Sequence, residues 1–257
     1  MSGILFEIKE NVAFITLNRP QVFNSFNRAM ALAMQVALDE CKSNVIRAVR
    51  IMGDGKAFCA GQDLQEVTDP NGPSLTTIIR EHYNPIIERI RNLEKPVVAA
   101  VNGVAAGAGA NIALACDIVV LAESASFIQA FSKIGLIPDS GGTFFLPRII
   151  GFQKASALMM LGDKVSAEEA LSLGLCYKVL PNDNFDSATI ELVQKLSQMP
   201  TYGLWLTKKA LNATMSNNLT QQLDLEDELQ SLAGSSTDYK EGVKAFLEKR
   251  PPLFVGK

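Results

Sequence analysis

The sequence predicts an α/β protein with at least partly parallel strand pairing, on three observations. Apolar runs of strand length alternate with segments whose apolar residues recur at helical spacing. The 257 residues, 47% of them hydrophobic, suffice for one large core, alone or with a small appendage. Three glycine-containing segments, 58–64, 101–111 and 135–143, punctuate the alternation.

The elements follow in order. Residues 5–9 and 12–18 alternate or run apolar around Glu10-Asn11 and read as a hairpin, ended by Arg19-Pro20. Asn27 can cap a helix reaching about Cys41, with Met30, Met34, Ala37 and Leu38 on one face. Residues 48–52 form a short buried strand closed by Gly53-Asp54-Gly55, and 58–71 read as loop. Leu75, Ile78, Tyr83, Ile86, Ile90 and Leu93 keep helical spacing, with Pro85 expected to kink or divide that helix. Residues 96–101 read as a buried strand, 110–116 as helix and 117–122 as strand. From about Pro200 to Glu248 the chain is helical. Its stripe of Leu219, Leu223, Leu225, Leu229 and Leu232 suggests packing against the core or another subunit, and Gly256-Lys257 is expected to fray. Residues 1–199 are therefore assigned to the core and 200–257 to a helical C-terminal region.

Composition removes several function classes. The net charge is -3, with no basic excess to support nucleic-acid binding. A phosphate-bearing ligand would need local Lys or Arg. Cys41, Cys59, Cys116 and Cys176 are widely spaced and read as reduced, mostly buried thiols. The N-terminus shows no signal-peptide pattern, and the apolar stretch 97–110 is too short and interrupted for a membrane span. A cytoplasmic protein without membrane contact is expected. His82 is the sole histidine, which excludes a multi-histidine zinc site and leaves a serine hydrolase only His82 as base.

The second glycine segment, 101–111, is neither a dinucleotide fingerprint nor a phosphate-binding P-loop. Gly107 and Gly109 lack a third glycine at the required spacing, and no Gly-Lys-Ser/Thr follows. It reads equally as tight helix–strand packing or as a turn aiming free N–H groups at an oxygen that gains negative charge. In the third, Asp139-Ser140-Gly141-Gly142 has the look of a protease nucleophile segment. The preceding Pro138, the helix-rich chain and a helical His82 argue against it. His82 reads as structural. Asp139 lies among Leu136, Ile137, Phe144, Phe145 and Leu146. It can be a carboxyl group of raised pKa suited to proton transfer, or a cap for the following helix.

Taken together, Asn18-Arg19-Pro20 with Asn24, the segment 58–64 (FCAGQDL), the stretch 99–117 and the stretch 135–143 (GLIPDSGGT) resemble the crotonase (enoyl-CoA hydratase/isomerase) superfamily over nearly the whole chain. The resemblance implies a crotonase-like spiral of repeated β-β-α units with a helical C-terminal trimerisation region, and a homotrimer or dimer of trimers. It implies an acyl-CoA thioester substrate and no separate cofactor or metal, since coenzyme A belongs to the substrate. The main-chain N–H groups of Gln62 and Ala108 would bind the thioester oxygen. Ala60, Gly61, Asp63 and Leu64 would lie along the coenzyme A, with Val22 near the same pocket. Phe246 and Lys249 would reach coenzyme A from a neighbouring subunit. The family's hydratases use two glutamates, and the matching positions here are Asn111 and Phe131. Asp139 instead falls where some family isomerases carry a catalytic aspartate, with Tyr83, Asn111 and Phe131 lining the acyl pocket. Within the superfamily, 101–110 (VNGVAAGAGA), Tyr83-Asn84-Pro85 and the ending 245–250 are most similar to the subgroup that isomerises epoxidised phenylacetyl-CoA. The expected activity is thus acyl-CoA isomerisation by epoxide-to-oxepin rearrangement or double-bond shift. Enoyl-CoA hydration and non-catalytic acyl-CoA binding are the alternatives.

Overall fold

The computed structural model describes residues 3–257. Strands β1 (Ile4–Lys9) and β2 (Val12–Leu17) pair antiparallel. Glu10 and Asn11 between them both adopt left-handed φ, 48° and 63°, as a two-residue hairpin turn demands. Helix α1 (Arg28–Glu40) begins where expected, the Asn27 side chain accepting from the Met30 N–H at 3.0 Å. Met30, Met34, Ala37 and Leu38 form its buried face.

The centre of the chain winds as a spiral in which each turn contributes one strand to each of two sheets. Strands β3 (Ala48–Gly53), β5 (Val97–Val101) and β7 (Ile118–Ala122) run parallel in the first sheet. Each is followed at once by a three-residue strand of the second sheet: β4 (Ala57–Cys59), β6 (Val104–Ala106) and β8 (Ser126–Ile128). Between β4 and β5 lie α2 (Leu64–Thr68), α3 (Leu75–Thr77), a wide-wound turn over Ile78–Tyr83 and α4 (Asn84–Asn92). Between β6 and β7 lies α5 (Ala108–Ala115), buried along its entire length. Helices α6 (Gly142–Ile150), α7 (Phe152–Leu161) and α8 (Ala167–Ser172) and strands β9 (Lys164–Ser166) and β10 (Lys178–Leu180) close the two sheets. Their strand orders are β1-β2-β3-β5-β7-β10 and β4-β6-β8-β9. This is the repeated β-β-α spiral that the sequence implied.

Several local expectations change. Residues 58–71 are not all loop, since they hold the end of β4 and all of α2. The segment 103–109 contains β6 before the helix opens. Three-residue strands are too short to display alternation, and they exist only through pairing with distant partners. Pro85 is the second residue of α4, and the wide-wound turn that immediately precedes that helix divides the helical run there. The four cysteines are free and buried.

Helices α9 (Phe185–Ser197), α10 (Thr201–Ala213), α11 (Leu219–Ser235) and α12 (Thr237–Glu248) complete the chain. The leucine stripe on α11 does not reach the core: Leu229 is buried, but Leu219 and Leu223 are exposed. The tail is not frayed either. The buried Asp238 carboxylate accepts the N–H groups of Val255 and Gly256 at 2.7 and 2.8 Å, and the Lys257 carbonyl accepts the Asp238 N–H. Such a long-range cap leaves no local sequence signal. Among the described residues no helix is long and apolar enough to cross a membrane.

The C-terminal helices are pinned to the spiral by Lys208 of α10, which is buried. Its ammonium donates to the Ile90 carbonyl at 2.7 Å and pairs with Asp117 at 2.8 Å, while Arg91 reaches the other Asp117 oxygen at 3.2 Å. Burial lowers the Lys208 pKa and the Asp117 charge opposes that shift. Replacing Lys208 with Met should therefore destabilise the fold by about 3 kcal/mol, through a carboxylate left short of charge in a buried site. The urea midpoint measures it, and an unchanged midpoint would show that the pair holds nothing together.

Candidate active site

The two outer glycine segments and the start of α5 meet around a cavity of about 380 Å³. Its lining includes Gln62, Tyr83, Ala108, Phe131, Lys133 and Asp139. The segment 60–63 is held in extended form against Phe26. The Phe26 N–H donates to the Gly61 carbonyl at 2.7 Å, and the Asp63 N–H donates to the Phe26 carbonyl at 2.8 Å. An extended chain alternates its polar groups, so the Gln62 N–H points the other way. The second N–H belongs to Ala108, the first residue of α5, where helix geometry provides no intrahelical acceptor. The two loops are in contact, because a Cβ placed on Gly61 would stand 3.5 Å from the Ala108 nitrogen. The N-terminal end of α5 also carries partial positive charge.

The Gln62 side chain is fixed as well. Its oxygen accepts from the Tyr83 hydroxyl at 2.9 Å and its amide donates to Glu66 at 2.9 Å. Tyr83 is fully buried, which pushes its pKa well above the ordinary value. Asp139 also has a raised pKa, because burial disfavours its charge; the Ser140 hydroxyl, donating to it at 2.8 Å, works in the opposite direction. Its carboxylate does not cap α6: the N-cap is Gly141, without a side-chain bond. Serine-hydrolase geometry is absent among the described residues. Ser140 bonds to Asp139, and the His82 ring is buried without a hydrogen-bond partner. No group of three or more His, Cys, Asp or Glu there is placed to hold a metal ion.

The structure gathers Ala60, Gly61, Gln62, Leu64, Tyr83, Ala108, Phe131 and Asp139 around the cavity, and separates the rest of the expected set. Asp63 turns away to cap α2 and to pair with Arg19 at 2.8 Å. Val22 is half-buried behind Ser25, whose N–H and hydroxyl both donate to the Val22 carbonyl. Asn111 is fully buried behind the cavity wall, bonded to the Asp139 carbonyl. Phe246 on α12 and Lys249 just past its end are exposed and do not line this cavity. Sequence reasoning missed the wall formed by Val67, Leu75 and Ile79, and Lys133. The apolar i, i+3 pair Leu64 and Val67 was the available signal, hidden by the turn residues at 69–73.

The two loops approach closely because of Gly109. A Cβ there would lie 2.4 Å from the Cys59 carbonyl oxygen and 2.7 Å from the Cys59 Cβ. Gly109→Ala should therefore push α5 away from β4 and lower turnover at least about tenfold, since small misplacements at a reacting centre are costly. Steady-state kinetics beside a melting curve would test this, and a fully active variant would show that the spacing is not critical.

Comparison with known proteins identifies the family. The family model described as Enoyl-CoA hydratase/isomerase matches residues 7–257. The chain is 46% identical to the 1,2-epoxyphenylacetyl-CoA isomerase of Escherichia coli strain K12 over the full length of both. It is 45% identical to a Rhodobacter capsulatus protein named "Probable enoyl-CoA hydratase", covering 99% of this chain and 98% of that one. Among solved structures, the enoyl-CoA hydratase of Bacillus anthracis superposes with a TM-score of 0.93 at 33% identity, over 99% of this chain and all of that one. With the fold and the full-length matches in agreement, the chain belongs to the enoyl-CoA hydratase/isomerase family.

Proposed function

We propose that the protein is an acyl-CoA isomerase whose single proton-transferring group is Asp139. The observation that carries this reading is that, among the described residues, Asp139 is the sole carboxylate lining the cavity. A hydratase of this family, positioning water with two glutamates, would carry them at 111 and 131. Those positions hold a buried amide and a phenyl ring.

In this mechanism the thioester oxygen lies between the N–H groups of Gln62 and Ala108. As a proton leaves the acyl chain, charge accumulates on that oxygen, and preorganised donors stabilise it most in the transition state. Asp139 takes the proton and returns it at another carbon. Its raised pKa makes it a better base than a solvated carboxylate. Proton transfer of this kind requires no metal or redox cofactor, since coenzyme A arrives with the substrate. Ala60, Gly61 and Leu64 border its path, with Asp63 and Val22 supporting that rim. The exposed Phe246 and Lys249 suit contact with coenzyme A bound by a neighbouring subunit of a homotrimer or dimer of trimers. The apolar chamber and the name of the Escherichia coli relative favour an epoxidised phenylacetyl-CoA, or an enoyl-CoA whose double bond shifts.

A turnover panel of cis-3-enoyl-CoA, crotonyl-CoA and the phenylacetyl-CoA epoxide tests the reading. Isomerisation of the first or third, with little hydration of crotonyl-CoA, is expected. Rapid crotonyl-CoA hydration would instead favour the hydratase reading, to which the Rhodobacter capsulatus relative points. Binding without turnover of any of the three would indicate a non-catalytic subunit. Asp139→Asn should cut kcat by about 10²–10⁴ while leaving acyl-CoA affinity nearly unchanged. In the parent, kcat/KM should rise with pH through the raised Asp139 pKa, because only the ionised carboxylate accepts a proton. Ala108→Gly should remain active, whereas Ala108→Pro, which deletes the N–H, should lose about 10²–10³ in kcat. Equal activity of the two Ala108 variants would refute the oxyanion assignment.

A further inference from the structure

Asn111 lies one turn beyond Ala108 on α5 and is fully buried. Its side-chain amide donates to the Asp139 main-chain carbonyl at 2.8 Å. Its side-chain oxygen accepts from the Gln129 amide at 2.8 Å, a bond out of contact with water. The two bonds give the amide one orientation, because Gln129 supplies a donor and Asp139 an acceptor. The amide packs so closely against α6 that a Cβ on Gly142 would stand 2.4 Å from its nitrogen.

The turn that Asn111 grips is tightly wound. Ser140 and Gly141 both adopt left-handed φ, 51° and 76°, a costly state for Ser140 unless its surroundings enforce it. The Asp139 carbonyl accepts a second bond from the Gly142 N–H at 2.8 Å. Two donors therefore converge on one carbonyl oxygen, and its residue is the one aimed into the cavity. A carboxylate at position 111 could still accept from Gln129, but it would face the Asp139 carbonyl with a second acceptor. Only a donor at this position can tie the turn to α5.

We infer that Asn111 is a positioning residue for Asp139, oriented by Gln129. It ties the helix that begins with the oxyanion donor to the turn that carries the acid–base group. This inference rests on the role of Asp139 proposed above. It adds that an amide at position 111 is a requirement of the isomerisation, and not merely the absence of a hydratase carboxylate.

The experiment compares Asn111→Asp, Asn111→Ala and Asp139→Asn, and the double variant of Asn111→Ala with Asp139→Asn. Each is assayed on whichever thioester of the panel the parent isomerises, with the Kd for a saturated acyl-CoA measured by calorimetry. Asn111→Asp, nearly isosteric, should lower kcat about a hundredfold, and Asn111→Ala about tenfold, both leaving KM and Kd within about threefold. In the Asp139→Asn background, Asn111→Ala should change the residual rate less than about twofold, because its effect passes through the missing carboxylate. If Asn111→Asp fails to fold, Asn111→Ala, which introduces no charge, decides the question. Parental kcat in Asn111→Ala overturns the inference. So does an additive loss in the double variant, or a Kd that rises in step with the fall in kcat, since either marks a purely structural residue. Full activity of Asp139→Asn, or a parent inactive on every thioester, would instead remove the underlying reading and this inference with it.

Discussion

The structure depends on one close approach, that of β4 and its following loop to the first turn of α5. The contact is possible because Gly109 has no side chain to strike the Cys59 carbonyl. Everything functional hangs from it. The spiral places β4 and β6 side by side in the second sheet, so the loop after each strand emerges at the same edge. One loop presents Gln62 in extended form and the other opens a helix at Ala108. Two N–H groups without secondary-structure partners thus face one space. Neither depends on its side chain, so alanine at 108 is compatible with the arrangement.

Around that contact the protein builds rigidity from buried polar groups. Asn24 is completely buried, and its amide donates to the Asp54 and Ala57 carbonyls while its oxygen accepts the Arg19 N–H. Arg19 in turn holds Asp63 and the Ser25 carbonyl. Gln62 is held between Tyr83 and Glu66, and Glu66 also accepts the Arg28 N–H at the start of α1. These groups are satisfied within the protein, and satisfied buried networks specify a single arrangement. Asp139 is the contrasting case: burial raises its pKa, and only the Ser140 hydroxyl contacts its carboxylate through a side chain. Its remaining capacity faces the cavity. The thiols of Cys41, Cys59 and Cys116 are pushed up to about 12 by burial and act as packing, not as nucleophiles.

Features fixed by neighbours in the chain were legible in the sequence. The hairpin at Glu10-Asn11 and the Asn27 cap rest on interactions within a few residues, whereas β5, held by the distant β3 and β7, was legible because its apolar run is long enough to read. The segment patterns were legible too, because close approach demands small residues at particular positions. The three-residue strands β4, β6 and β8 were not, since their stability comes wholly from partners elsewhere. The ends of the C-terminal region were also opaque: the Asp238 clasp on Val255 and Gly256 joins positions 17 and 18 residues apart.

By itself, then, the sequence determined the α/β class, the family-like order of its segments, and the chemistry available: one histidine, a carboxylate at 139, an amide at 111 and a phenyl ring at 131. Tertiary structure alone decided which of these meet. Asp63 proved to be a cap and ion-pair partner, and Asn111 a tie behind the cavity wall. The Asn111–Asp139 bond spans 28 residues and the Arg19–Asp63 pair spans 44. No local pattern encodes such distances. They arise when successive strands of the spiral are laid into register, since pairing between distant segments is satisfied only in the complete fold.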